Sequence, residues 1–200
     1  MPDYEPLFAA LQRDLASRTP EALSFSGYRQ AAVLVPILLA PGGLHLLFTV
    51  RSSTLAHHAG QIAFPGGRLE PGETLAQAAL RETSEETGLM SSDTRILGEL
   101  QPLPSPAKYL VTPVVGIVPW PQPLKISAAE VAEVFTVPLA DLLNLTPRQE
   151  ERHLQGQRRV IYYYAHQSPE GERLIWGLTG NIVADLLAAL RPYLRAKTPV

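Results

Sequence analysis

The stretch Gly67-Arg68-Leu69-Glu70-Pro71-Gly72-Glu73, followed seven residues later by Arg81-Glu82-Thr83-Ser84-Glu85-Glu86-Thr87-Gly88-Leu89, decides how this chain is read. A glycine-rich turn leads into a helix predicted over about residues 74–87, with Thr74 helping to cap its start and Gly88 stopping it. Glu82, Glu85 and Glu86 are spaced by three and four residues, so one helical face carries all three. Crowded carboxylates repel, and a helix gains nothing from them alone. A hard divalent cation such as Mg²⁺ removes that penalty, because it takes several oxygen ligands at short distance. The segment therefore reads first as a metal site.

The neighbouring residues fit pyrophosphate chemistry. Such hydrolysis needs neutralised phosphoryl oxygens and an activated water, and a carboxylate-held Mg²⁺ supplies both. Glu82 and Glu86 lie one turn apart and are read as sharing a metal, with Glu85 adding a second metal or a bridging oxygen. Arg81 can steady an acidic neighbour or a phosphate by bidentate hydrogen bonding. Gly66 and Gly67 let the backbone pass close to a ligand, and the Gly66 carbonyl offers one more oxygen. Glu73 shapes the turn before the helix.

Composition bounds the partners. The chain has 200 residues, 46% hydrophobic and 18% charged, which are values of a globular protein of one ordinary domain spanning 1–200. A net charge of −2 argues against a nucleic-acid binder but not against a small phosphorylated substrate, since a bound metal brings its own positive charge. The absence of cysteine excludes disulfides, thiolate metal sites and a cysteine nucleophile. The N-terminus lacks a basic segment followed by an apolar run. The longest apolar stretch, Ala31 to Ala40, is broken by Pro36 and too short to span a bilayer. A cytoplasmic protein acting on a small molecule, without membrane or nucleic acid, is the expectation.

Leu7, Phe8, Leu11 and Leu15 predict an N-terminal helix over about 3–17, packing on its own domain or on a second subunit as a homodimer. Strands are expected at 31–39 and 44–51 around Pro41-Gly42-Gly43, and further at 95–100, 111–118, 130–137, 158–165 and 173–176. The proline-rich residues 102–106 are expected to be irregular, 138–143 a short helix and 179–194 a final amphipathic helix. The order is mixed α and β around a mixed sheet.

The spacing from Gly67 through Glu73 to Arg81–Leu89 resembles the Nudix box at each charged and glycine position, with Thr83 the one soft departure. Leu47–Ser53 with Gly60-Gln61-Ile62-Ala63-Phe64-Pro65-Gly66-Gly67 resembles the signature of the coenzyme A pyrophosphatase branch of Nudix hydrolases. That signature usually has an arginine four residues before the glycine, where this chain has Ala56, then His57 and His58. Ile175–Thr179 resembles the start of that branch's last helix, so the likeness covers roughly residues 30–190. It implies an α/β/α sandwich with a mixed β-sheet and residues 67–89 as loop–helix–loop. It implies Mg²⁺ or Mn²⁺ held by Glu82, Glu86 and Glu85, and cleavage of coenzyme A or its thioesters to 3′,5′-ADP and 4′-phosphopantetheine or its acyl form.

Other roles follow from the same likeness. Arg51 reads as a phosphate contact or a strand-end ion pair, with Ser52, Gln61 and Lys108 as further substrate contacts. Phe64 reads as lining the site or as core. Glu73 serves either the turn or catalysis. Glu130 and Glu133 are the nearest late glutamates for a general base, against a plain surface role. His57 and His58 read as loop surface, Lys108 and Tyr109 either as meeting the adenine or its 3′-phosphate or as a mobile solvent-exposed loop, and Tyr162–Tyr164 and Trp176 as packing residues. The rival functions are a Nudix pyrophosphatase for ADP-ribose, NADH or a dinucleotide, and a nucleotide sensor that has lost activity.

Overall fold

The computed structural model describes residues 3–18, 27–53, 60–154, 157–169 and 171–194. The main sheet is built from β1 (Arg29–Ala40), β2 (Gly43–Arg51), β3 (Ile62–Ala63), β4 (Gly66–Arg68), β5 (Arg95–Glu99), β6 (Leu103–Pro104), β7 (Tyr109–Pro119) and β8 (Val131–Pro138). β1 runs parallel to β7 from Arg29↔Tyr109 to Leu39↔Pro119, and the remaining pairings are antiparallel, so the sheet is mixed.

On its other edge β1 changes partner. Ala31–Val33 pair with β4, whereas Ile37–Ala40 pair with β2. Between them the Leu34 N–H donates to the Pro65 carbonyl at 2.8 Å. Pro36 falls in this gap, on the same edge as the Leu34 nitrogen, so its missing N–H costs the sheet no ladder bond. That is how an interior strand carries a proline. The fork also separates β4 from the outer half of β2, where Thr49 and Val50 pair with β3.

Side chains of β1 alternate across the sheet. Val33, Val35, Ile37 and Leu39 join the large core with α1 (Glu5–Ser17), α3 (Leu139–Asn144) and α4 (Gly177–Leu194). Ala32 and Leu34 face the other way and meet Ala78 and Ala79 of α2 (Leu75–Thr87). Leu38 meets Leu47, Leu89 and Val118 on that side. The small residues at the α2 contact allow helix and sheet to approach closely. Helices on both faces make the α/β/α sandwich. Leu7, Phe8, Leu11 and Leu15 of α1 are buried against α4 and β5 of the same chain. Among the described residues, no helix is long and apolar enough to cross a membrane.

Two local expectations are corrected. Residues 102–106 are not wholly irregular, because Leu103 and Pro104 pair with Val111 and Leu110 as β6; a proline is tolerated on such an edge. Trp176 is not core, being 38% exposed and stacked on Tyr163 with ring centroids 5.7 Å apart. Tyr163 and Tyr164 are both buried: Tyr164 enters the large core, and Arg148 lies 3.8 Å over the Tyr163 ring.

Tyr163 belongs to a second, three-stranded antiparallel sheet of β9 (Arg148–Leu154), β10 (Gln157–Ser168) and β11 (Gly171–Ile175). β9 reads Arg-Gln-Glu-Glu-Arg-His-Leu and has no apolar alternation to announce a strand. Polar contacts with β10 hold it instead. The Tyr163 hydroxyl donates to Glu150 at 3.0 Å and accepts from Arg152 at 2.9 Å, and Arg158 pairs with Glu151.

Leu11 is fully buried in the large core, on the helix that closes it. Leu11→Ala is expected to lower the unfolding free energy by about 2–4 kcal/mol in urea titrations, the range for a buried leucine truncation. A change near zero would show that α1 only decorates the domain.

Candidate active site

The chain enters the acidic helix through a reciprocal cap. The Gln77 N–H donates to the Thr74 hydroxyl at 3.2 Å, and the Thr74 N–H donates to the Gln77 side chain at 2.8 Å. Both halves of this capping box, Thr74 and Gln77, stand in the sequence at the required three-residue spacing. Gly88 ends α2 in the left-handed region at φ 77°. Thr83 is buried, with its hydroxyl donating to the Ala79 carbonyl at 2.6 Å. Its polar atom is satisfied within the helix, which lets it occupy a position facing the sheet.

Arg81 gathers the site. Its Nε donates to Glu73 at 2.7 Å and one terminal nitrogen to the other Glu73 oxygen at 3.1 Å. That nitrogen also donates to the Arg68 carbonyl at 3.1 Å. The remaining nitrogen reaches Glu82 at 3.0 Å and Glu85 at 3.5 Å. Of the two roles open to Arg81, the structure displays the first, holding carboxylates. Glu73 also accepts from the Glu70 N–H at 3.0 Å, which closes the turn. Its bond to Arg81 holds the Glu73 carboxyl below the usual range.

Glu82 and Glu86 lie against β4. A Cβ on Gly67 would stand 2.3 Å from the Glu82 carboxyl carbon, so the bare glycine is what lets this carboxylate rest on the backbone. Gly66, at φ 152°, donates its N–H to Glu86 at 3.3 Å. A Cβ there would meet the Ala32 carbonyl at 2.3 Å and the Val33 Cα at 2.5 Å. Glu86 is only 6% exposed, whereas Glu85 has a side chain 59% exposed on the outer side of the cluster. Burial pushes the Glu86 carboxyl up to about 7; Glu130 and Glu82 push it the same way, against the Gly66 N–H and Arg51. Among the described residues, no three acidic or histidine side chains form a ready cage, since Glu82 is drawn onto Arg81.

A strap closes the other end of the helix. The Lys125 N–H donates to the Thr87 carbonyl and the Ser127 N–H to the Glu86 carbonyl, both at 2.9 Å. The strap ends at Glu130, whose carbonyl accepts from the Ser52 N–H at 2.9 Å. Glu130 is thereby brought to Glu86. Glu133 is engaged elsewhere, in a two-pronged bond from Arg173 at 2.6 and 2.9 Å.

The upstream residues divide. Arg51 ends β2 close enough to Glu86 to stabilise its negative charge, and among the described residues nothing accepts from its buried Nε. Its N–H donates to the Gln61 carbonyl at 3.0 Å, which brings Gln61 alongside. Ser52 is 5% exposed and helps tie β2 to Glu130, rather than standing open to a ligand. Phe64 is a correction to its site-lining reading: it is 4% exposed and stacks on Phe48 with centroids 4.8 Å apart, as core. Lys108 is exposed, and its contacts join it to Ser105 and Arg29 rather than to the carboxylates. Ala56, His57 and His58 lie outside the described residues.

The family model of the NUDIX domain matches residues 28–164. This chain belongs to the Nudix hydrolase family. The uncharacterized Nudix hydrolase NudL of Photorhabdus laumondii is 43% identical over 169 residues, covering 84% of this chain and 87% of that protein. A protein of the same name from Yersinia pestis is 40% identical over 160 residues, covering 79% and 78%. Among solved structures, the Nudix hydrolase RenU from M. smegmatis matches with TM-score 0.51 and 20% identity, covering 88% of this chain and 91% of that one. A MutT/nudix family protein from Enterococcus faecalis matches with TM-score 0.51 and 17% identity, covering 98% and 76%. These two likenesses are of fold. As a Nudix hydrolase the chain is a pyrophosphatase enzyme, of a family that takes small nucleotide substrates and generally uses divalent metals.

Three outcomes follow from this geometry. Because the folded Glu86 pKa is raised from 4.5 to about 7, burial of this group costs no stability below 4.5; the cost grows between 4.5 and 7 and levels off above 7. Metal-free Glu86→Gln is therefore expected to exceed the parent in stability by about 2–3 kcal/mol near pH 8, with the gap closing near pH 4.5, in urea denaturation at both values. Gly67→Ala displaces only a side-chain carboxylate, so stability should change by less than about 1 kcal/mol. Gly66→Ala meets backbone and should lower stability by more than about 2 kcal/mol, measured by the same titrations.

Proposed function

We propose that this Nudix hydrolase cleaves the diphosphate of coenzyme A or a close derivative, giving 3′,5′-ADP and 4′-phosphopantetheine or its acyl form, with the whole chain acting as one domain. One observation carries the reading. The stretches Leu47–Ser53 and Gly60–Gly67, whose sequence resembles the coenzyme A branch, are the ones that meet the box glutamates. They set Arg51 beside Glu86 and present Gly66 and Gly67 to Glu86 and Glu82.

The donor set suits a hard divalent cation, Mg²⁺ or Mn²⁺. Glu86 is a buried carboxylate beside two others, and Glu82 rests on a glycine backbone with room for nothing larger. Glu82, Glu86 and Glu85, with the Gly66 carbonyl, would hold it. Such an ion, when bound, neutralises phosphoryl oxygens and makes water more acidic. The chain's own residues do the rest. Arg81 and Glu73 keep the Glu82 carboxylate against β4, so Arg81 acts by positioning. Arg51 offers its guanidinium to a non-bridging diphosphate oxygen. Glu130 makes no ion pair among the described residues and takes a proton from the attacking water, whereas Glu133 is spent on Arg173.

Hydrolysis of coenzyme A with Mg²⁺ in ¹⁸O-water, followed by mass spectrometry, tests this reading. The expected outcome is 3′,5′-ADP and 4′-phosphopantetheine, with label in one product only, which also identifies the phosphorus attacked. Glu130→Gln in that assay is expected to lower kcat by about 10²–10⁴-fold. Rapid turnover of ADP-ribose or NADH with none of coenzyme A would replace coenzyme A by those substrates.

A further inference from the structure

We propose that Arg29, Arg68 and Lys108, gathered around Tyr109, form a subsite for a phosphomonoester that the substrate carries outside the diphosphate being cleaved; this rests on the pyrophosphatase reading above.

The sheet brings these residues together. Arg29 lies directly opposite Tyr109 in the β1–β7 ladder, and Arg68 opposite Ala31 in the β1–β4 ladder. Alternation along β1 puts Arg29 and Ala31 on one face, so Arg68 becomes a diagonal neighbour of Arg29. Their guanidinium carbons stand 4.5 Å and 5.9 Å from the Tyr109 ring centroid. A single aromatic face attracts a cation, but two guanidinium groups around one ring also repel each other. Among the described residues neither makes an ion pair, whereas Arg81, Arg95 and Arg173 each hold a carboxylate. An anion is the partner that would relieve this cluster.

Lys108 adds the third cation. It is exposed, and at φ 59° it is the non-glycine residue in the left-handed region among those described. Two bonds hold that backbone: its N–H donates to the Ser105 carbonyl at 3.1 Å, and its carbonyl accepts from the Arg29 N–H at 3.0 Å. Ser105 in turn accepts from the Tyr109 N–H through its hydroxyl at 3.1 Å. This uncommon conformation is fixed against the Arg29 backbone, so an exposed ammonium branches from the chain next to Tyr109.

The cluster is also tied to the box. Arg68 directly follows Gly67, and its carbonyl accepts from the same Arg81 that holds Glu82. The alternation that turns Gly67 towards Glu82 turns Arg68 to the other face, so the cluster stands across the β4 edge from the glutamates. A phosphomonoester has three acceptor oxygens and nearly two negative charges, which suits two guanidinium forks and an ammonium.

Matched substrates test the subsite and tell its sources apart. Coenzyme A and 3′-dephospho-coenzyme A differ by a ribose 3′-phosphate; NADPH and NADH differ by a ribose 2′-phosphate. The parent protein is expected to show kcat/KM about tenfold or more higher for the phosphate-bearing member of one pair, and that pair names the position. Arg29→Gln with Arg68→Gln is expected to bring the ratio to about one; an unchanged ratio overturns the subsite. Calorimetric binding of 3′,5′-ADP and 5′-AMP needs no turnover. Discrimination of about tenfold, lost in the double variant, supports the subsite even if no diphosphate is hydrolysed, in which case the proposed function fails and the subsite stands. Equal affinity of the parent for both nucleotides overturns it, whatever the enzyme hydrolyses.

Discussion

The guanidinium of Arg81 is the point on which the site turns. It binds the loop through Glu73, the sheet through the Arg68 carbonyl, and the helix through Glu82 and Glu85. Each partner comes from a different local structure, and a planar fork of fixed donors can satisfy them only in one relative placement. Lysine would supply the charge but not the fork. The loop–helix–loop is thus one rigid piece, with the geometry of its carboxylates set by a cation that belongs to the protein.

That rigidity bears on how negative charge is handled. Glu82 keeps company with Arg81, whereas Glu86 is buried with a single backbone donor and a more distant Arg51. The two carboxylates, one turn apart, therefore live in different environments. Burial penalises the negative charge of Glu86, whereas Glu82 has the Arg81 guanidinium at 3.0 Å. The contrast follows from which residue each meets on β4, Gly67 or Gly66, and from the strap that closes over the end of the helix.

The helix, its caps and its acidic face were legible because they are local: spacing, a capping threonine and a stopping glycine sit within one stretch of chain. The central strands were legible for the same reason, since apolar alternation is written into each. What stayed hidden depends on distant partners. Phe64 reads equally as a site residue or as core until Phe48 is found beneath it. Trp176 stands on the surface because Tyr163 offers it a ring to lie on. β9 has the composition of a loop and becomes a strand through the charges and tyrosine opposite it. Glu130 and Glu133 were indistinguishable by position, and a single arginine far along the chain separates them.

Pro36 has an effect beyond being tolerated. β1 is paired along both edges, and only the gap between β4 and β2 can accept a residue without an N–H. Sliding β1 by one residue would aim the proline nitrogen at β7 and exchange the two apolar faces. Sliding it by two would set the proline where Leu34 or Leu38 now sits, opposite groups already bonded. The proline thus works as an index mark for the central strand, selecting one alignment from several that the near-continuous apolar sequence would otherwise permit.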